Sequence, residues 1–372
     1  MSEATPRERL MSGASWDAFC DQIKAAGKTI LAENQPDSPL DRAEGFRYLT
    51  RLVRTSLESF IEYADPMAPV LTRPVHETAK IGADNPDNYY QHATISGAFE
   101  YRIRGVRNTV HYLDFGTQSP GVASTGDSKQ AGHLDAADLD IDADGRFEVV
   151  LSCEPPASGT RNWLRMRPDT AQLIVRQTFL DRDTERPADL VIERVGGDAT
   201  PAPLTPEAMD AGLARAAGLV AGCTALFSTW AAGFREHVNE LPRFDDSVSM
   251  GAGGDPNIAY YHSYWALGPE EALVIEATPP ACESWNFQLD NHWMESLDYR
   301  YHRIHVNKHT AVYEPDGSVR IVVAHRDPGV PNWVDTASHA QGTMCFRWIR
   351  ADAHPQPRTR VVKLSEIAGA GQ

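Results

Sequence analysis

Positive charge and cysteine are both scarce in this sequence. Its 372 residues include 35 Lys and Arg against 51 Asp and Glu, which gives a formal net charge of −16. Nucleic acids and anionic membranes attract proteins through Lys and Arg, so this deficit argues against both as partners. The five cysteines are dispersed, odd in number and never arranged as Cys-x-x-Cys. That pattern is typical of reduced thiols, and we expect a cytoplasmic protein without a disulfide framework.

Signals that would assign a cofactor or a compartment are also missing. The sequence has no Gly-x-Ser-x-Gly elbow, no Walker loop and no Gly-x-Gly-x-x-Gly turn between a strand and a helix. The N-terminus, MSEATPRERLMSGASWD, lacks the basic-then-apolar layout of a secretion signal. Residues 216–234 carry no charge and are long enough to cross a bilayer. Their larger apolar residues recur at helical spacing, so we predict a buried amphipathic helix instead.

Proline and glycine, by contrast, are plentiful and separate short strand-like segments. Hydrophobic periodicity predicts two helices in the first 65 residues, strands over about 89–195, a long helix over 205–241 and strands again over 257–350. We therefore expect a mainly β protein with α additions. Its predicted parts are an N-terminal helical segment (1–84), a first β domain (85–197), a linking helix (198–245) and a second β domain (246–372).

The two strand regions are copies of one another. The first begins NPDNYYQH and the second DPNIAYYH, so Pro86 matches Pro256. Each copy continues with an Asp-Gly turn, a Val-rich strand, an Asn-Trp pair and an arginine, which is Arg176 or Arg347. From proline to arginine is 90 residues in one copy and 91 in the other. Landmarks in the same order at nearly the same spacing predict two tandem, related antiparallel β-sandwich or jelly-roll domains.

The segments NPDNYYQH, DGSVRIVVAH, RDPGVPNWV and FRWI also resemble the domain-of-unknown-function 1214 family of bacterial proteins. The resemblance covers roughly residues 85 to 350. It implies a β-sandwich or jelly-roll fold, often with a related domain upstream, in agreement with the duplication. It implies no activity, so function has to be argued from individual residues.

The duplication separates structural residues from candidate functional ones. A residue kept in both copies most simply serves the shared fold, which predicts structural roles for Arg176, Arg347 and the Asn-Trp pairs at 162–163 and 332–333. A reactive group present in one copy is a better candidate for an active site. Seven of the 13 histidines lie between residues 262 and 339, within the second copy.

Two segments of the second copy concentrate polar side chains. At the end of the strand SVRIVVAHRDPG, Asp327 lies two residues after His325, where a carboxylate could orient an imidazole, and Arg326 lies between them. The competing interpretation is a strand-end salt bridge and turn. The segment SLDYRYHRIHVNKH is predicted as a strand whose polar residues share one face, either solvated or lining a pocket. That row consists of Tyr301, Arg303, His305, Asn307 and His309.

These observations predict an enzyme that uses general acid–base chemistry, as a hydrolase or as a lyase or hydratase. The expected substrate is a hydroxylated carbohydrate-like, lipid or aromatic small molecule. The predicted catalytic residues are His305, His325, Arg326 and Asp327. The predicted substrate-binding residues are Tyr261, His262, Trp285, Asn286, Trp293, Tyr301, Arg303 and Asn307, although aromatic residues of a sandwich are first of all core.

No cofactor and no metal site is predicted. The divalent-metal set that ligand counting allows is His305 and His309 with Asp327 or Glu295. Two alternatives to an enzyme remain open, a non-catalytic protein that binds carbohydrate or a hydrophobic ligand, and an oligomeric structural protein. A homo-oligomer is the partner that the structural alternative requires.

Overall fold

A computed structural model describes residues 4–119, 130–157, 159–197, 200–251 and 254–368 of the chain. Within these ranges the fold is mainly β, in two repeated halves, with helices before and between them. The predicted domain limits at residues 1, 198 and 372 fall outside the described residues, and the remaining limits stay predictions.

The chain contains several helices, and the longest of them lies between the two halves in the sequence. The described helices are α1 (Pro6–Ser12), α2 (Ala14–Ile30), α3 (Pro39–Leu57), α4 (Pro206–Phe234), α5 (Asp246–Gly251) and α6 (Leu364–Ala368). The N-terminal region therefore has three helices where two were predicted, because Gly13 takes a left-handed conformation (φ +84°) and ends α1. A π-helical turn, Glu58–Glu62, continues α3.

The uncharged run lies within α4, and Thr205 caps the start of this helix by accepting a hydrogen bond from the amide of Ala208. Helices α1, α2 and α3 pack against α4. Val220 and Phe227 join the apolar cluster that α2 and α3 also form. By length and composition alone, residues 206–237 would also qualify as a membrane-crossing helix. Here its apolar residues contact other helices, as predicted for a buried helix.

Each half contains eight strands within the part of the chain that the structure describes. The strands of the first half are β1 (Asn88–Thr94), β2 (Tyr101–Val106), β3 (Tyr112–Gln118), β4 (Gln130–Asp135), β5 (Arg146–Ser152), β6 (Trp163–Arg165), β7 (Gln172–Thr178) and β8 (Asp189–Arg194). The strands of the second half are β9 (Ile258–Ala266), β10 (Glu271–Ala277), β11 (Cys282–Leu289), β12 (His305–Asn307), β13 (Val319–Ala324), β14 (Trp333–Asp335), β15 (Gln341–Ala351) and β16 (Arg358–Lys363).

The strand order confirms the duplication. The sheet β1-β7-β3-β4 of the first half corresponds to β9-β15-β11-β12 of the second, and we call these two the inner sheets. The sheet β6-β5-β2-β8 corresponds to β14-β13-β10-β16, and these are the outer sheets. Pairing is antiparallel except between β5 and β6 and between β13 and β14, which are parallel in both copies. Each half is thus a β-sandwich with its apolar core between an inner and an outer sheet.

The Asn-Trp landmarks hold equivalent turns in both halves. Asn162 donates from its side-chain amide to the carbonyl of Asp140 (2.9 Å) and accepts from the Asp140 amide (2.7 Å). Asn332 makes the same two bonds with Val312, at 2.7 and 2.8 Å. The indoles of Trp163 and Trp333 donate to the ends of β5 and β13. These shared residues therefore serve the fold.

The predicted strand over the segment SLDYRYHRIHVNKH, residues 296–309, is wrong in extent. Only His305–Asn307 forms a strand, while residues 298–302 turn and Tyr301 is 78% exposed. Ile304 and Val306 are buried as the alternation required, but residues 307–311 form a second turn. The five polar side chains therefore do not share one face, because the chain is extended over only three residues.

Candidate active site between the inner sheets

An arginine on the middle strand of each inner sheet relates the two halves residue by residue. Arg176 of β7 lies opposite Tyr90 of β1 and Asp114 of β3. Arg347 of β15 lies opposite Tyr260 of β9 and Asn286 of β11. Asp114 and Asn286 are therefore equivalent positions that carry different side chains.

The same correspondence extends to the edge strands. Asp114 pairs with Asp135 on β4, and two residues further along His133 lies opposite Gly116. Asn286 pairs with Asn307 on β12, where His305 lies opposite Gln288. An amide in the second half is thus replaced by a carboxylate in the first half at two positions, while the histidine is kept.

In each half, one short segment before the first strand crosses to the other half. We call residues 85–87 and 255–257 the straps. Each strap is anchored by a tyrosine, since Tyr90 and Tyr260 accept hydrogen bonds from the amides of Asn85 and Asp255, at 3.2 Å in both cases. Each begins a turn, and the straps reach the polar faces of the opposite inner sheets. The two sheets therefore face each other through polar residues.

At the second half's inner sheet, a strap carboxylate is fully satisfied. Asp87 accepts hydrogen bonds from the side-chain amides of Asn286 (2.9 Å) and Asn307 (3.0 Å), and His305 Nε2 lies 3.2 Å away. Burial would raise the pKa of Asp87, but His305 and the two amides hold that pKa below its ordinary value. This arrangement fastens the halves together.

At the first half's inner sheet, the position equivalent to Asn286 is a carboxylate, Asp114, and it is not satisfied. Asp114 is completely buried, and neither of its carboxylate oxygens has a hydrogen-bond partner among the described residues. Arg176 Nη1 is 3.5 Å from Asp114 Oδ1, which is an ion pair but longer than a hydrogen bond. Burial raises the pKa of Asp114 to about 6, against the opposing effect of Arg176. Such an acceptor without donors is uncommon in a folded protein and points to a ligand.

Asp114 lines a small cavity between the two halves. The other charged and hydroxyl groups on its wall include Arg176, Asp255, Tyr112 and Arg350. Arg350 donates to the Tyr112 hydroxyl (3.0 Å) and also pairs with Asp135. Both hydrogen-bond donors and acceptors thus surround the cavity, whose volume of about 20 Å³ has room for one hydroxyl group or one water molecule.

A donor set for a cation occurs at the same place. Asp114, His133 and Asp255 each offer a ligand atom, and these atoms all lie within 4.8 Å of one another. Asp114 and Asp255 are buried, and His133 is exposed.

Three of the predicted site residues meet at the interface but in a closed arrangement. His305, Asn286 and Asn307 all contact Asp87 of the first strap. Asn286 also donates to Asn85 (2.7 Å) and accepts from Arg347 (3.2 Å). The side-chain amides of Asn286 and Asn307 are thus used within the protein, whereas His305 uses only Nε2, and its Nδ1 is buried without a hydrogen-bond partner among the described residues.

The proposed coupling of His325 with Asp327 is wrong. His325 Nδ1 lies 2.9 Å from the Thr336 hydroxyl, and its Nε2 lies 3.2 Å from the Leu267 carbonyl oxygen. Asp327 accepts from the amide of Gly329 (2.8 Å), and exposed Arg326 pairs with Glu270. The turn after Asp327 carries its carboxylate away from the imidazole, so the strand-end interpretation is the correct one here.

The aromatic residues predicted to bind substrate are core residues. Trp285, Trp293 and Tyr261 are each at most 1% exposed. Trp285 stacks on Phe346, with ring centroids 5.7 Å apart. The Trp293 indole donates to the Asp41 carbonyl (2.8 Å) and Tyr261 to the His354 carbonyl (2.7 Å). Because apolar neighbours cover them, they offer no surface to a ligand.

His262, Tyr301 and Arg303 do not join a common site either. His262 is buried among aromatic rings, stacked between Phe234 and Tyr260. Burial lowers the pKa of His262 to about 3, so this imidazole is neutral. Tyr301 and Arg303 are exposed on the turn that precedes β12.

The metal set that ligand counting allowed in the second half is not assembled. His305 faces Asp87, whereas His309 is exposed and lies 3.7 Å from Asp181. Glu295 is buried with Arg51 at 2.6 Å. Each candidate ligand therefore has a different partner.

The residues that the sequence did not single out are Asp114, His133 and Asp255. The signal that could have found them was the duplication itself, since a carboxylate and an amide occupy equivalent positions. From Pro86 to Asp114 is 28 residues, but from Pro256 to Asn286 is 30. This two-residue offset hides the correspondence until the strand pairing is known.

Comparisons with known proteins agree with the fold but assign no chemistry. The family model described as "Protein of unknown function (DUF1214)" matches residues 93–178 and 272–353, one region in each half. No curated protein matches the chain. The crystal structure of an uncharacterized protein from Burkholderia cenocepacia is 54% identical, with a TM-score of 0.94 over 97% of this chain and 99% of that one.

A more distant structure shares the fold alone. A protein from Vibrio parahaemolyticus is 13% identical, with a TM-score of 0.52 over 86% of this chain and 98% of that one.

Proposed function

Because this chain belongs to the DUF1214 family, whose description assigns no activity, we propose its function from its own interface cavity. The proposal is an enzyme, of the hydrolase or lyase class, that acts on a small hydroxylated molecule without a nucleotide or flavin. The observation that supports it is Asp114, a buried carboxylate on the wall of a polar cavity that receives no hydrogen bond from any described residue.

The surroundings of Asp114 suit proton removal from a hydroxyl group. A substrate hydroxyl would supply the donor that Asp114 lacks, and the carboxylate would then accept its proton. Arg176, beside Asp114, and Arg350, on the cavity wall, would hold negative charge that develops on the substrate. Tyr112 adds a hydroxyl on the same wall for orienting the substrate.

Comparison of the two halves also supports a catalytic role for Asp114. The equivalent Asn286 shows that the fold accommodates an amide at this position. An amide would satisfy the interface without a buried charge, so a carboxylate retained here indicates a use other than fastening the halves.

A panel of sugar esters, glycosides, lactones and hydroxy acids tests the proposal. Turnover by the wild-type protein should fall by at least about a hundredfold in Asp114→Asn, a loss of the size that removal of a general base produces. The matched control is Asp169→Asn, at an exposed turn residue that pairs with Arg167. Equal turnover in wild type and Asp114→Asn on every substrate that reacts would contradict the proposal.

A non-catalytic binding function has one observation in its favour. The outer sheet of the first half borders an open groove of about 1050 Å³, whose wall includes Tyr89, Phe147 and Leu190. If the groove is the functional surface, a carbohydrate or apolar ligand should bind wild type and Asp114→Asn equally in calorimetric titration. Binding that Asp114→Asn abolishes would place the ligand in the interface cavity instead.

A further inference from the structure

We propose that the interface cavity holds one divalent metal ion, of the Zn²⁺ or Mn²⁺ type, bound by Asp114, His133 and Asp255. The inference rests on the same cavity as the proposed function and deepens it. No other residue trio among those described offers ligand atoms this close together.

The first argument is the geometry of the donors. The three ligand atoms lie within 4.8 Å of one another. Three donors bound to one tetrahedral ion at about 2.0–2.2 Å lie about 3.3–3.6 Å from one another. The donors therefore need to approach by at most about 1.5 Å, which rotation of the side chains supplies.

The environment of Asp114 also indicates a ligand. Asp114 is fully buried and faces the cavity, and neither oxygen has a hydrogen-bond donor among the described residues. In the other half, Asp87 receives three such contacts, from Asn286, Asn307 and His305. An ion bound to Asp114 would compensate its charge, as the hydrogen bonds from the two amides do for Asp87.

Negative charge exceeds positive charge around the cavity. Equivalent positions in the second half carry Asn286 and Asn307, where the first half has Asp114 and Asp135. Asp255 and Glu283 add two further carboxylates on the wall. Two guanidinium groups face these four carboxylates, since Arg176 lies beside Asp114 and Arg350 pairs with both Asp135 and Glu283. A divalent ion compensates the remaining negative charge.

The donor types decide the class of ion. Two carboxylates suit Mn²⁺ and Mg²⁺, whereas an imidazole favours Zn²⁺ and other first-row transition ions. His133 therefore argues for Zn²⁺ or Mn²⁺ over Mg²⁺ and Ca²⁺. A bound ion would activate the substrate hydroxyl, and Asp114 would then act as a metal ligand. Arg176 would keep its role of holding negative charge.

Metal binding can be measured without knowing the substrate. Purified full-length protein is stripped with EDTA, dialysed, and titrated with Zn²⁺ or Mn²⁺ alone by calorimetry, and the metal content of unstripped protein is measured by mass spectrometry. We expect one ion per chain. Affinity should fall by at least about tenfold in His133→Ala and further in Asp114→Asn, since each removes a ligand.

The controls keep the test decisive. His237→Ala, at a half-exposed histidine on the surface, should leave affinity unchanged. Asp114→Asn introduces the side chain that the second half already has, so loss of binding in a folded variant indicates loss of the ligand. Titration with Co²⁺ should give the visible absorption of a mixed oxygen and nitrogen site in wild type, and a changed spectrum in His133→Ala.

Equal affinity in wild type, His133→Ala and Asp114→Asn, or no binding below about 1 mM, would overturn the metal site. Turnover that is abolished by Asp114→Asn yet unaffected by EDTA would overturn the metal site while supporting the proposed function.

Discussion

Asp114 and Asn286 lie opposite equivalent arginines in two copies of one sheet, and their environments differ. Asn286 makes hydrogen bonds to Asn85, Asp87 and Arg347. Among the described residues, Asp114 has an ion pair with Arg176, at 3.5 Å, and no hydrogen-bond partner. The second copy shows that an amide at this position satisfies the fold. The carboxylate in the first copy is therefore not required by the fold.

The first prediction concerns Asn286→Asp. This change removes two donated hydrogen bonds and places a second carboxylate beside buried Asp87. Lost donors and like-charge repulsion in a buried site should lower the free energy of unfolding by about 3 kcal/mol or more at pH 7.5. Urea denaturation measures the change. Asn34→Asp, at an exposed position, is the matched control and should alter stability by less than about 0.5 kcal/mol.

The second prediction concerns the pH dependence of stability. The pKa of His262 falls from its ordinary 6.5 to about 3 because the ring is buried, with Arg347 adding to the effect. The unfolded chain therefore binds a proton near pH 6.5 that the folded protein does not bind until about pH 3. His262 contributes full stability above pH 6.5, and this contribution falls as the pH drops toward 3, by up to about 1.4 kcal/mol per pH unit.

Replacement of His262 by Phe tests this slope. The ring is surrounded by Phe234, Tyr260 and Phe244, and its Nδ1 has no hydrogen-bond partner among the described residues. We expect unfolding free energies of the variant, measured between pH 7.5 and 4.5, to decline less steeply than those of wild type. Parallel curves would show that His262 does not titrate differently in the folded protein.

The third prediction concerns the equivalent turns. Asn332→Ala removes two side-chain bonds to Val312 and a third to the Arg320 carbonyl, and leaves partly buried backbone groups without partners. The expected loss is about 2–3 kcal/mol, and Asn162→Ala should cost about 1–2 kcal/mol because it breaks only the two equivalent bonds, to Asp140. Thermal unfolding of both variants checks this. A loss confined to one variant would mean that the two turns are not energetically equivalent.

Much of the fold could be predicted because the sequence repeats its own landmarks. Asn162 and Asn332 follow the Val-rich strands at corresponding places, and both fasten a turn. Short strands between Gly and Pro turns, together with the long helix that contains the uncharged run, were sufficient to predict two sandwiches joined by a helix. Local pattern and long-range spacing agreed at these positions.

The site could not be predicted in the same way. The sequence draws attention to the histidines of the second copy, but there His305 Nε2 contacts Asp87, and His325 contacts Thr336. What distinguishes Asp114 is that no described residue donates a hydrogen bond to it. That depends on the strap of the other half, which is far away in the sequence. The alternation of polar and apolar residues also predicted too long a strand around Tyr301 to His309, because turns at both ends leave only three extended residues.

The stability of Asp114→Asn measures most directly whether this carboxylate serves function and not the fold. Urea denaturation of EDTA-treated wild type and variant at pH 7.5 compares the two. We predict that the variant is at least as stable as wild type, because an amide avoids the cost of burying a charge without hydrogen-bond donors. A loss of more than about 2 kcal/mol would show that the pair with Arg176 holds the fold together, and would contradict the account.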